Sequence, residues 1–207
     1  MNKEGMVLLT KLHGIAQTGK AYGHDIYDLE RYEQLEEIYL ELLRLLTDLP
    51  EETRIKLGNE DVGYATPKVD IRAVVFNKQG ELLLVQEKRD QIWSLPGGWA
   101  DIGYSPFEVA EKETQEEAGI RVSAQRLLAV KDKAKHAYPP SSTYVYKLFI
   151  LCTALEETVH GGIETSAAKF FPETMLKSLE ISLHRNTRED LHQLFKDKGD
   201  TVETYCD

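Results

Sequence analysis

The stretch that most constrains this chain is Gly97-Gly98-Trp99-Ala100-Asp101-Ile102-Gly103-Tyr104-Ser105-Pro106, continued by Phe107 to Ile120. A glycine-rich turn runs into a short helix whose limits are set by its end residues. Ser105 is an N-cap, Pro106 suits the first helical position, and Glu108 completes a Ser-x-x-Glu capping box. Gly119 stands where a left-handed residue ends the helix. The predicted helix covers about 106–118, roughly three and a half turns. On it, Glu113, Glu116 and Glu117 are related as i, i+3 and i+4, so three carboxylates share one face. Such pairs repel by roughly 0.2–0.5 kcal/mol each, and the helix dipole disfavours anions in the last turn. Lys112 points partly away and cannot neutralise all three. Clustered oxygen ligands suit a hard cation, Mg²⁺ or Mn²⁺, which keeps waters and bridges to substrate phosphates. The plainer reading is a solvated acidic face.

A chain of 207 residues, 42% hydrophobic and 29% charged, has enough apolar material for one sizeable core and a smaller appendage. Its formal net charge of −10 argues against a nucleic-acid partner, because phosphate backbones need basic surfaces. A small anionic substrate is compatible with that charge if a metal and a few local cations receive it. Cys152 and Cys206 give neither a disulfide framework nor a metal-ligand spacing, and Cys152, in an apolar run, reads as a core thiol. No apolar stretch reaches membrane-spanning length and Met1-Asn2-Lys3-Glu4 does not read as a signal peptide, so the cytoplasm is the expected location and no membrane partner is expected.

Along the chain, residues 1–60 read as a helical extension and 61–207 as a second, larger domain. Leu8, Leu9, Leu12 and Ile15 mark a first amphipathic helix, expected to end near Gly19. A second starts near Asp25 or Asp28, carries Leu29, Tyr32, Leu35, Ile38, Tyr39, Leu42, Leu45, Leu46 and Leu49, and is expected to stop at Pro50. One more turn fits 51–57, and 59–67 is the expected linker. Such leucine-rich faces must pack on the rest of the chain or on a second copy. Strands follow at 69–76 and 81–87 as a hairpin, then near 122–130, 144–155 and 169–171, with a closing helix over 187–196. Strands, an embedded helix, more strands and a final helix point to an α+β fold with a mixed sheet.

The opening stretch resembles the Nudix box: a Gly, five residues, Glu, seven residues, then Arg-Glu-hydrophobic-x-Glu-Glu-x-Gly-hydrophobic. Gly98, Glu113, Glu116, Glu117, Gly119 and Ile120 fill six of its nine specified positions. Tyr104 stands where the box has Glu, Lys112 where it has Arg, and Thr114 where it has a hydrophobic residue. The runs Pro67-Lys68-Val69-Asp70-Ile71-Arg72 and Trp93 to Asp101, with the leading helices, resemble a bacterial subgroup of Nudix hydrolases with an N-terminal helical extension. That subgroup contains ADP-ribose pyrophosphatases and a CDP-choline pyrophosphatase, and it is tolerant of Tyr at the position of Tyr104. The resemblance implies a Nudix α/β/α sandwich and a homodimer.

It also implies divalent-metal-dependent hydrolysis of a nucleoside diphosphate linked to another moiety, of CDP-choline or ADP-ribose type, to a nucleoside monophosphate and a phosphorylated second product. Glu113, Glu116 and Glu117 are the implied Mg²⁺ or Mn²⁺ ligands, and Gly97 and Gly98 allow close backbone approach. Glu164, in a Gly-Gly loop ahead of a strand, is the candidate general base; its alternative is an ordinary loop carboxylate. Arg72 is the first candidate phosphate or ribose contact, with a structural salt bridge as its alternative, and Arg185 the second. Trp93 and Tyr138 could stack on a base or belong to the core. His136 lies in the local basic run Lys131 to His136, which could attract an anion. Lys112 offers a charge without the bidentate fork of Arg, and Tyr104 cannot replace a carboxylate at neutral pH. Two other readings are a housecleaning hydrolase of damaged nucleoside triphosphates and a regulator that senses such nucleotides without cleaving them.

Overall fold

The computed structural model describes residues 2–59, 63–156, 158–198 and 203–207, with the backbone alone for 55, 56, 58 and 59. The chain divides into two compact units: residues 1–67 with 139–144, and 68–138 with 145–207. The expected boundary at residues 60 and 61, and the middle of the expected linker, lie outside the described residues.

In the first unit, α1 (Lys3–Tyr22) and α2 (Ile26–Leu46) form a helical pair followed by α3 (Glu51–Asn59). Asn2 caps α1 by accepting from the Gly5 N–H, and Asp25 caps α2 by accepting from Tyr27 and Asp28. Met6, Leu9, Tyr39 and Leu43 make its core, and His13 stacks on Tyr39 at 4.2 Å. Two expected ends differ from those observed. α1 runs through Gly19, where a Cβ would stand 2.3 Å from the Tyr32 ring, so this glycine serves helix packing rather than termination. α2 stops at Leu46, and Pro50 instead opens α3, its carbonyl accepting from Thr53 and Arg54. Proline disfavours helical geometry in the residue before it but suits a first turn.

The second unit contains β1 (Lys68–Phe76), β2 (Leu82–Glu87), β3 (Trp93–Ser94), α4 (Pro106–Ala118), β4 (Val122–Asp132), β5 (Val145–Ala154), β6 (Thr165–Phe171), α5 (Arg188–Asp197) and β7 (Tyr205–Cys206). Among the described residues the seven strands run in the order β3-β2-β1-β5-β4-β7, with β6 paired to β2. β1 and β5 are parallel, with Asp70 opposite Lys147, and β4 lies antiparallel to β5. Side chains alternate across this mixed sheet. Ile71, Ala73, Val75, Leu83 and Val85 pack with Val109, Ala110 and Ala118 of α4. Val74, Leu82 and Leu84 pack on the other face with Leu191, Leu194 and Phe195 of α5. The result is an α/β/α sandwich preceded by helices, as expected from the sequence. The strand expected at 169–171 extends back to Thr165, and β7 was not anticipated.

The glycine turn is fixed alongside β1. The Ala73 N–H donates to the Pro96 carbonyl at 2.9 Å, Ile71 to Gly98 at 2.8 Å, and Ala100 to Val69 at 2.9 Å. Among the described residues no helix is long and apolar enough to cross a membrane.

Candidate active site

α4 begins and ends where its sequence dictates. Ser105 and Glu108 exchange capping-box hydrogen bonds, with the Ser105 N–H donating to Glu108 Oε2 at 2.7 Å. Gly119 takes a left-handed φ of 69° and donates to the Gln115 carbonyl. Thr114 is buried, and its hydroxyl donates to the Ala110 carbonyl at 2.7 Å. A threonine therefore fits an apolar site, because its polar atom is satisfied within the helix.

With its apolar side on the sheet, α4 turns Glu113 and Glu117 toward the glycine turn. The Gly97 N–H donates to Glu117 Oε2 at 2.9 Å, and the Glu113 carboxyl lies 3.3 Å from where a Cβ of Gly98 would stand. Gly97 has φ of 140°, and a Cβ there would meet the Ile71 carbonyl oxygen at 2.0 Å. Only glycine permits this approach of turn, strand and helix.

Burial, with repulsion from Glu113 and Glu87, pushes Glu117 up to about 7, against the pull of Gly97 and Arg72. Burial and the Glu116 charge likewise raise Glu113, despite Lys112 and Arg72. Glu116 is different: its side chain is 58% exposed and sits 3.2 Å from Lys112 Nζ. Lys112 also reaches Glu113 at 3.6 Å and Asp101 at 3.4 Å, but no ion pair joins it to Glu117 among the described contacts. The Glu116 hydrogen bond holds the Lys112 ammonium above the ordinary lysine range.

Among the described residues no three Asp, Glu, His or Cys side chains converge as a ready metal cage. Of the three expected ligands, Glu116 is paired with Lys112. The donor chemistry nevertheless fits a hard divalent cation. Two carboxylates lie close to backbone, both disfavoured as anions chiefly by burial, and such a cation needs few protein ligands because it keeps its waters.

Other expected residues fall elsewhere. Arg72 is not presented to solvent: it is buried, its Nε pairs with Asp70 at 2.8 Å and its Nη1 donates to the Leu95 carbonyl at 3.2 Å. Asp70 in turn pairs with Lys147, which is fully buried. Burial would raise Asp70, but Arg72 and Lys147 overcome it and hold the carboxyl below its usual range. Trp93 is half-buried edge-on against Phe171 at 4.8 Å. Buried Tyr138 donates its hydroxyl to Asp190. His136 pairs with Asp207 at 2.8 Å, and Arg185 with Glu87 at 3.2 Å and Asp90 at 3.8 Å. Glu164 is exposed, and its backbone carbonyl accepts from the Lys88 N–H at 2.9 Å. Glu87, Asp70 and Lys147 escaped sequence reasoning. A single acid at a strand end and a single lysine in an apolar run were the available signals.

Residues 66–194 match the family model described as the NUDIX domain, and residues 5–56 match one described as a UDP-X-like, N-terminal oligomerisation domain. The Bacillus subtilis (strain 168) protein YjhB, whose name assigns it provisionally as an ADP-ribose pyrophosphatase, is 43% identical over 185 residues, 89% of this chain and 88% of its own. A crystal structure of an ADP-ribose pyrophosphatase from Streptococcus suis 89-1591 superposes with a TM-score of 0.61 at 40% identity, covering 69% of this chain and all of that one. A UDP-X diphosphatase crystal structure superposes with a TM-score of 0.63 at 30% identity over the whole of both chains.

Proposed function

The chain belongs to the Nudix family of hydrolases, and on that premise we propose that it cleaves the diphosphate of a nucleoside diphosphate linked to a second moiety, using Mg²⁺ or Mn²⁺. The products are a nucleoside monophosphate and the phosphorylated second moiety. The observation that carries this reading is the pair Glu113 and Glu117, brought together at the glycine turn with their anionic forms disfavoured chiefly by burial and also by neighbouring carboxylates. ADP-ribose is the first substrate to test because two similar proteins carry that name, and UDP-linked compounds are second because of the UDP-X diphosphatase likeness. CDP-choline remains the third.

Glu113 and Glu117 hold the cation, with Glu116 completing the acidic rim once Lys112 yields it. When bound, the cation supplies positive charge to the diphosphate and acidifies water for attack on phosphorus. Glu117, with one oxygen fixed by the Gly97 N–H, exchanges a proton near neutrality if the cation is lost. Gly98, where a Cβ would stand 3.3 Å from the Glu113 carboxyl, is the proposed point at which the diphosphate approaches the backbone, while Gly97 seats the turn on β1. Arg72 acts from beneath, as a buried positive charge toward Glu117 and Glu113. Glu164, on an exposed loop, is the proposed base that accepts the proton of the attacking water; Arg185, paired with Glu87, is the proposed cationic contact for the substrate, whereas Trp93 and His136 are engaged by Phe171 and Asp207. The helical unit is assigned to self-association as a homodimer.

Purified protein incubated with ADP-ribose, UDP-linked sugars, CDP-choline and oxidised nucleoside triphosphates, each with Mg²⁺ and with Mn²⁺, tests the proposal. Release of nucleoside monophosphate from a diphosphate substrate is expected. Faster release of pyrophosphate from triphosphates would favour housecleaning, and binding without turnover would favour a sensor.

A further inference from the structure

The last-turn carbonyls of a helix have no partner inside it and must find one elsewhere. At the end of α4 those partners come from residues forty or more positions downstream. The His160 N–H donates to the Ala118 carbonyl at 3.0 Å, and the Thr165 hydroxyl to the Glu117 carbonyl at 2.5 Å. The Gly162 N–H donates to that same hydroxyl at 2.7 Å, so its own hydrogen is left to point at Glu117. Thr165 is only 1% exposed.

The loop is shaped for this contact. A Cβ on Gly162 would stand 1.7 Å from the Glu116 carbonyl oxygen, and one on Gly119 would stand 2.2 Å from the His160 ring. Lys88 braces the loop from the other side: Nζ donates to the carbonyls of Gly162 at 3.1 Å and Ile163 at 2.7 Å. Thr165 also pairs in register with Glu87, on the strand beside the site.

We propose that Thr165 is a positioning residue for Glu117: its hydroxyl anchors the final turn of α4 from the backbone side while the Gly97 N–H anchors the carboxylate. Glu117 is thus held at both ends, by the glycine turn and by the first residue of β6. A carboxylate at a helix end that frays would lose its aim, and small misplacements in a reacting site are amplified in rate. The inference rests on the reading of Glu117 given above.

Thr165→Val removes the hydroxyl at nearly constant volume, and Thr165→Ser restores it without the methyl. With the preferred diphosphate substrate, Thr165→Val should lower kcat about tenfold to a hundredfold with KM within about twofold, and Thr165→Ser should recover most of the loss. In metal-free protein, amide hydrogen exchange at Gly119 and His160 should quicken in Thr165→Val and not in Thr165→Ser. Thr165→Ala carries the same expectation if valine prevents folding. Unchanged kcat and exchange in the hydroxyl-free variants, or a serine variant as impaired as the valine one, would overturn the proposal. Glu117→Gln separates the two readings: if it stays active, Glu117 is not a site residue, whereas an inactive Glu117→Gln beside a fully active Thr165→Val defeats the positioning role alone.

Discussion

Burial of Glu117 beneath the glycine turn raises its pKa from an ordinary 4.5 to about 7, so the native chain keeps a proton there that the unfolded chain releases. Between those values the native state binds more protons, and its stability falls as pH rises. Metal-free protein should therefore lose on the order of 3 kcal/mol from about pH 4.5 to 7. Glu113, also raised, acts in the same direction. Urea unfolding in chelator across that range measures it; Glu117→Gln should flatten the profile, and added Mg²⁺ should restore stability at pH 7. A profile that rises through the window would contradict the assignment. Asp70 works oppositely, because its lowered pKa contributes stability that is lost only in acid. Asp70→Asn leaves Arg72 and Lys147 buried without their anion and should cost about 3–5 kcal/mol by urea unfolding. The acidic helix face was legible in sequence, since spacing alone places its carboxylates. The buried ion triad was not, because Asp70 and Lys147 meet only through the parallel register of β1 and β5. Arg72 looked like a phosphate contact for a related reason: Asp70 stands two residues away on the same face of β1, but nothing local to residue 72 announces the lysine across the strand pair.

At the scale of elements, α4 is the clearest case of local information deciding structure. Its cap, proline, capping box and left-handed glycine all act within a few residues of its ends, and the observed helix spans the expected residues. The glycine turn before it depends on longer-range contact. Gly97→Ala would set a methyl against the Ile71 carbonyl oxygen and impose a side chain on a φ of 140°. The turn must then leave β1, carrying the Gly97 N–H away from Glu117. Activity on the preferred substrate should fall at least about a hundredfold, while far-ultraviolet circular dichroism stays that of the parent. An alanine variant with parental kcat would show that the turn does not position Glu117. Gly19 teaches the converse. It resembled a helix stop, yet its lack of a side chain makes room for Tyr32, a partner thirteen residues away in the next helix. A glycine's local meaning and its packing meaning are identical in sequence and separate only when the neighbouring helix is in place.

For the whole molecule, the helical unit has more apolar surface than its own core consumes. Met6, Leu9, Tyr39 and Leu43 are buried, yet Leu8, Ile15 and Tyr22 of α1 remain well exposed, as do Ile38 and Leu45 of α2. Both exposed sets recur every seven residues, a spacing that keeps side chains on one slowly drifting stripe of a helix. Isolated exposed leucines need no explanation, but stripes on paired helices mark a surface that another protein covers. In the homodimer proposed above, the occupant of that surface is a second copy of the chain, a reading supported by the match of residues 5–56 to a model described as an oligomerisation domain. Charge substitution on the stripe separates this from a merely greasy surface. Ile15→Glu, alone and with Leu8→Glu, should shift sedimentation equilibrium from dimer to monomer at micromolar concentration. The buried contacts of Leu9 and Leu43 lie off the stripe, so helicity should survive in the monomer. Ile15→Asn removes the apolar side chain without adding charge and should also dissociate the dimer. If the Ile15 variants remain dimeric while helicity is kept, the stripe is not the interface; if Ile15→Glu dissociates the dimer and Ile15→Asn does not, added negative charge rather than lost apolar contact is what separates the copies.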